Sequence, residues 1–169
     1  MTVRASQKGM TLLEVLVTIG VMSVVFISTL EFYASSAQFL RKQEAMASVL
    51  QDANRIMALL AEDIRGAETF LPDFVVNEPR TVVAAFKMRP NAAFSRRVVA
   101  YSFENAHPTT LLRSIHTEER EVFFELSTDV HSLAVSEQYG LVSVSLVLDV
   151  KGTGRALTYQ VASAYAMKP

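Results

Sequence analysis

Gly9-Met10-Thr11-Leu12-Leu13-Glu14, followed by apolar sequence to Leu30, is the stretch that decides the fold. A short leader, Met1 to Lys8, precedes it and carries two basic side chains, Arg4 and Lys8. From Met10 to Leu30 the only ionisable side chain is Glu14, and the polar residues are the small Thr11, Thr18, Ser23, Ser28 and Thr29. A bilayer core needs about 20 apolar helical residues, which this stretch supplies. The basic leader favours a cytoplasmic amino terminus, with the rest of the chain across the membrane. A carboxylate deep in such a helix costs about 3 kcal/mol on insertion scales. That cost is hard to explain in a simple anchor and easy to explain in a part that must find a partner.

The same residues resemble the class III signal of type IV pilins and of the pseudopilins of type II secretion. The pattern is a glycine before the cut, an apolar first mature residue, and glutamate as the fifth. The resemblance implies a leader over 1–9, cleavage between Gly9 and Met10 by a prepilin peptidase, and N-methylation of Met10. It also implies that Glu14 pairs with the new α-amino group of an adjacent subunit during filament assembly. In low dielectric either charge left alone is costly, so such a pair sets register. The family's outermost tip subunit typically lacks this glutamate, so the resemblance does not imply that outermost position. Two departures are visible: methionine replaces the commoner phenylalanine at the first mature position, and the membrane half has no proline.

Other readings of the segment stand beside this one. Glu14 can also be a carboxylate that snorkels to the cytoplasmic interface or is protonated there. A plain uncleaved anchor needs no processing at all. A cleaved secretory signal could end at Ala34-Ser35-Ser36-Ala37, although its apolar run would be unusually long and would contain Glu14.

The helix is expected to continue past the membrane. Tyr33 to Leu71 contains no proline and one glycine, Gly66. Met46, Leu50, Ala53, Met57, Leu60 and Ile64 recur at alternating steps of four and three, which is one helical face. Pro72 is the expected stop, because the residue before proline is pushed out of helical geometry. A helix from Met10 to Leu71 would be roughly 90 Å long at about 1.5 Å per residue. The expected organisation is thus leader 1–9, membrane half 10–32, amphipathic half 33–71 and globular domain 72–169.

Beyond Pro72 the period becomes strand-like. Candidate strands are Thr81–Met88, Arg97–Phe103, Thr110–Ile115, Glu121–Leu126, Leu141–Val150 and Ala156–Ala166. Val142, Val144, Leu146 and Leu148 alternate with their neighbours, so that strand should bury one face. Lys151-Gly152-Thr153-Gly154-Arg155 reads as a hairpin link, and Asn105-Ala106-His107-Pro108 as another. Val130–Gln138 is ambiguous, being mixed and close to loop sequence. The fold class is α+β, an antiparallel sheet covered by the Met46-to-Ile64 stripe.

This order of elements is similar to the type IV pilin-like fold. Two segments extend the resemblance to J-type minor pseudopilins and W-type minor pilins. One is Leu59-Leu60-Ala61-Glu62-Asp63-Ile64-Arg65-Gly66-Ala67, similar to an L-x-x-D-I-R-x-A segment. The other is Val99-Ala100-Tyr101-Ser102-Phe103 followed by Leu111-Leu112-Arg113, similar to a strand pair with Y-x-x and L-x-R.

Composition excludes several chemistries. The chain has no cysteine, hence no disulfide, thiolate metal site or cysteine nucleophile. Lys and Arg number 16 against 17 Asp and Glu, so no broad basic surface for nucleic acid is implied. Loss of Arg4 and Lys8 with the leader leaves 14 basic against 17 acidic side chains, a formal charge of −3. His107, His116 and His131 read as solvated loop histidines without helical metal spacing. Gly152 and Gly154 do not precede a helix, so they form no phosphate loop. Asp129 and Asp149 could join a calcium site but read better as surface carboxylates. Phe123-Phe124, Tyr101 and Phe103 read as core. Arg89, Arg96 and Arg97 make at most a small patch, less than single-stranded DNA binding wants.

No catalysis and no cofactor are expected. The resemblance implies a minor pilin or pseudopilin that primes or joins a filament of a type II secretion or type IV pilus system. Its expected partners are other minor and major pilins, the prepilin peptidase and an inner-membrane assembly platform. Its expected place is the bacterial inner membrane, with the domain in the periplasm. A second possibility is a membrane-anchored periplasmic domain that binds a ligand or secreted substrate without polymerising. A third, an anchored hydrolase, lacks a candidate triad in the sequence.

Overall fold

A computed structural model describes residues 11–76, 79–90, 96–150 and 157–167. One helix, α1 (Leu12–Gly66), precedes eight strands: β1 (Ala67–Phe70), β2 (Arg80–Met88), β3 (Arg97–Glu104), β4 (Leu111–Thr117), β5 (Glu121–Ser127), β6 (Val130–Gln138), β7 (Leu141–Val150) and β8 (Leu157–Ala166). The chain divides into two compact units, 1–42 and 43–169.

In the first unit the described residues are helical from Leu12, and nearly every side chain is exposed. Its apolar window has a mean hydropathy of 2.2 and no burial, long and apolar enough to cross a membrane. Thr11 caps the start: the Glu14 N–H donates to Thr11 Oγ1 at 3.3 Å. The small polar residues are satisfied within the helix. Thr18, Ser23, Ser28 and Thr29 each donate a hydroxyl to the carbonyl four residues earlier, at 2.7 to 2.9 Å. A hydroxyl so bonded needs no water, which is what lipid demands of a polar group.

In the second unit the helix buries Val49, Ala53, Ile56, Met57, Leu60, Ala61 and Ile64. Of the six stripe residues, Ala53, Met57, Leu60 and Ile64 are buried and Leu50 is half-buried. Met46 is 38% exposed: it shares the face, but at this level of the helix the half-buried Ala45 makes the contact with the core, and full burial begins at Val49. Val49 and Ile56 flank the stripe and complete the buried face.

The helix stops at Gly66 and not at Leu71. Ala67–Phe70 instead forms β1, paired antiparallel with β2 through Phe70 and Phe86. Glycine is a weak helix former, and here its bareness is used. A Cβ on Gly66 would lie 3.0 Å from Met88 Cε. The Arg89 N–H also donates to the Gly66 carbonyl at 3.3 Å, so the helix end is stitched to the end of β2. Pro72 falls in the turn after β1.

The expected single sheet is two antiparallel sheets, β1-β2-β3-β4-β5 and β6-β7-β8. β7 alternates as expected, with Val142, Val144, Leu146, Leu148 and Val150 buried. The ambiguous segment is β6. Its register shifts between Val130 and Ser132, so its buried residues, Val130 and Leu133, are three apart. A bulge of this kind breaks the period of two by which strands are recognised. Tyr139 (φ 55°) and Gly140 (φ 78°) join β6 to β7, and positive φ at both positions is the mark of a tight primed turn. β7 and β8 pair from Val150 and Leu157 onward, while the expected link 151–155 lies outside the described residues. A single core joins the helix face to both sheets, with Phe86, Tyr101, Leu111, Leu146 and Leu148 among its fully buried members.

Candidate functional site

Gly9 and Met10, the expected cleavage and methylation positions, lie outside the described residues. Glu14 lies in the first turn of α1, three residues after the capping Thr11, and is exposed. Threonine followed three residues later by glutamate is the arrangement of a capping box. A carboxylate here also faces the positive end of the helix dipole. The Glu14 carboxylate therefore sits at the helix end where negative charge is favoured, beside any role toward a neighbour. The groove beside Thr18, Ile19, Met22, Ser23 and Phe26 is apolar and open, a surface suited to another apolar helix.

The second site ties helix to sheet. Asp63 is a carboxylate on the buried face of α1, only 4% exposed. It accepts the Tyr101 hydroxyl at 2.6 Å, Arg113 Nε at 2.8 Å and Arg113 Nη2 at 2.7 Å. The arginine bonds are the two-pronged kind that fix geometry as well as charge. Tyr101 stands opposite Arg113 across the β3–β4 ladder, so one helix residue grips two adjacent strands. Burial, and then the Asp63 carboxylate, push the Tyr101 phenol well above its ordinary value. Hydrogen bonding to Asp63 raises Arg113 likewise. Both therefore stay protonated as donors. The sequence patterns around Asp63, Tyr101 and Arg113 were visible one by one, whereas their meeting depends on the register of β3 against β4.

The other face of the five-stranded sheet carries a second polar group. His116 is not a solvated loop residue: it lies in β4, half-buried, edge-on to the Phe74 ring at 5.2 Å. Its Nε2 is 2.8 Å from Ser114 Oγ and 3.4 Å from Glu121 Oε1. Glu121 also faces Arg80 Nη1 at 3.5 Å. A catalytic relay needs the carboxylate on the ring nitrogen away from the hydroxyl, but here both contacts fall on one nitrogen. Ser114 is moreover fully buried, so the group holds the sheet face and presents no nucleophile. His107 lies in the β3–β4 turn, and His131 is exposed on β6 with Nδ1 3.6 Å from Asp149 Oδ2. Asp129 and Asp149 are joined through the backbone, Asp149 N–H donating to the Asp129 carbonyl at 2.8 Å. Among the described residues no three His, Cys, Asp or Glu side chains cluster as a metal site would require.

Tyr101 is fully buried as expected, and Phe103 is half-buried. Phe123 and Phe124 are not core: they are 47% and 48% exposed on β5. Two adjacent strand residues point to opposite faces, and among the described residues β5 is the last strand of its sheet, so no further described strand covers either ring.

Residues 4–30 match the prokaryotic N-terminal methylation motif. They are a type IV pilin-like prepilin leader with its helix. The motif implies processing by a prepilin peptidase and assembly with other pilins. It supports a type IV pilin-like or pseudopilin protein whose apolar helix fits a single-pass membrane anchor. One long helix on antiparallel sheets is consistent with the type IV pilin-like fold. No curated protein and no solved structure matches the chain.

Proposed function

We propose that this chain is a minor pilin or pseudopilin, a structural subunit that primes or joins a filament of a type II secretion or type IV pilus system. The observation that carries this reading is the methylation motif over residues 4–30, with Glu14 in the first turn of an exposed apolar helix. The precursor lies in the inner membrane with its amino terminus in the cytoplasm and its globular domain in the periplasm. Prepilin peptidase cuts between Gly9 and Met10 and methylates the new amino group. The helix then slides among neighbouring apolar helices until Glu14 meets the amino group of an adjacent subunit. That pair sets register, because apolar contact alone lets helices slip.

No catalytic step belongs to this polypeptide. Its work is assembly, and in type it resembles the J-type pseudopilins or W-type minor pilins.

The test is mass spectrometry of the native amino terminus, together with Glu14→Ala. The expected result is N-methylated Met10, and loss of filament incorporation in the variant with membrane insertion retained. An intact Met1 terminus would leave an anchored binding domain that does not polymerise, and a Glu14→Ala protein that assembles normally would remove the Glu14 charge pair from the assembly mechanism.

A further inference from the structure

One residue sets the start of α1. Thr11 stands just outside the helix, and its Oγ1 accepts the Glu14 N–H at 3.3 Å. Its carbonyl accepts the Glu14 and Val15 N–H groups at 3.0 and 3.2 Å. Both halves of an N-cap are present: the side chain takes a donor of the first turn, and the carbonyl takes the first helical bond. A capping residue has extended backbone geometry, so the helix makes no claim on the chain before it.

The place of the cap matters more at a membrane than in water. The open N–H groups of a first turn find no water in hydrocarbon, so a helix entering lipid starts where a side chain can take one of them. In Ala5-Ser6-Gln7-Lys8-Gly9-Met10 the nearest hydroxyl upstream of Thr11 is Ser6. A helix begun at Ser6 would run through both Gly9 and Met10. Glycine is a weak helix former and opposes that extension only in part, so the choice between the two starts falls to the caps.

We propose that Thr11 is a positioning residue for the processing step: by starting the helix after itself, it keeps the Gly9–Met10 bond out of regular structure for the prepilin peptidase. In that step water adds across the amide. Gly9 keeps the carbonyl as a new carboxylate, and the nitrogen departs as the amino group of Met10. A bond wound into a helix must unwind locally before it is cut, and open segments are where proteases act first. Thr11 touches no reacting atom; it acts through the helix start. This role rests on the pilin reading above and adds to it that the second mature residue serves the cut as a cap.

The test follows the full chain in the membranes of the cell that makes it. After a pulse of isotope label, mass spectrometry measures the growing fraction with a Met10 terminus in the unaltered chain, Thr11→Val, Thr11→Ser and Thr11→Asn. Valine keeps the shape of threonine and removes the cap, whereas serine and asparagine change the shape and keep the cap. Valine is also the more apolar residue, so a slow cut is not failed insertion. Thr11→Val should be cut about fivefold more slowly, the equivalent of a typical lost cap, and Thr11→Ser and Thr11→Asn at the unaltered rate. Adding Ser6→Ala to Thr11→Val should restore most of the rate, because the longer helix then loses its start. A peptidase that read the threonine directly would be indifferent to Ser6. Thr11→Val cut at the unaltered rate, Thr11→Asn cut as slowly as Thr11→Val, or no rescue by Ser6→Ala would each overturn this role. If Met10 is methylated and Glu14→Ala blocks assembly in those cases, the pilin reading stands without it. If the unaltered chain keeps Met1, both fail.

Discussion

The two stretches of α1, residues 11–42 and 43–66, solve the same problem in opposite ways. Both must satisfy a helical backbone and dispose of apolar side chains. The first is apolar all round, buries almost nothing in its own chain, and returns its hydroxyls to its own carbonyls. Its stability depends on a surrounding that is itself apolar. The second confines its apolar residues to one face and spends that face on two sheets. It even buries a carboxylate, Asp63, because Tyr101 and Arg113 are there to receive it. The placement of the two carboxylates teaches the difference. Glu14 is exposed, and among the described residues no cationic side chain pairs with it, whereas Asp63 is wholly satisfied within the domain.

The largest expected effect comes from breaking the internal pair. Arg113→Ala strands Asp63 without its cation, and removing one partner of a buried pair costs about 3–5 kcal/mol. Chemical denaturation of the chain in detergent should show that loss. A change below about 1 kcal/mol would mean that water reaches Asp63 in place of Arg113.

Next in size is a matched pair of leucines. Leu60 is fully buried, and Leu60→Ala should cost about 2–5 kcal/mol in the same experiment. Leu16 is exposed, and Leu16→Ala should leave the unfolding of the domain unchanged. Equal effects at the two sites would erase the contrast between the two stretches.

The smallest of the three is the phenol. Tyr101→Phe should cost about 1.5–3 kcal/mol near neutral pH, as expected for a hydrogen bond to a charged group. The sign of its pH dependence follows from the raised phenol. An unfolded chain begins to release that proton near pH 10, while the folded chain retains it. The contribution is therefore full below about pH 10 and is lost as pH rises above it. Denaturation from pH 7 to 11 should show the two proteins converging at the alkaline end, and a constant gap would contradict a locked phenol.

Much of this was legible in the sequence because its physics is local. The membrane segment is a matter of length and hydropathy, and the motif over 4–30 reads the same residues. β7 runs over Leu141–Val150 as read, since its alternation is unbroken. Other elements were hidden for physical reasons. Ala67 and Glu68 are good helix formers, and only pairing with β2 makes them a strand. β6 was obscured by its bulge. His116 looked like a loop residue because the Thr117 to Arg120 turn that ends its strand is polar.

By itself the sequence determined the anchor, the carboxylate within it and the alternation of helix then strands. Each of these depends on residues near one another in the chain. Only the tertiary structure decided that the strands form two sheets, that Asp63 meets Tyr101 and Arg113, and that Phe124 stands open on β5. Those outcomes depend on strand register and on which strand ends a sheet. Both are set by pairing between distant segments, where a shift of one residue turns every side chain to the opposite face.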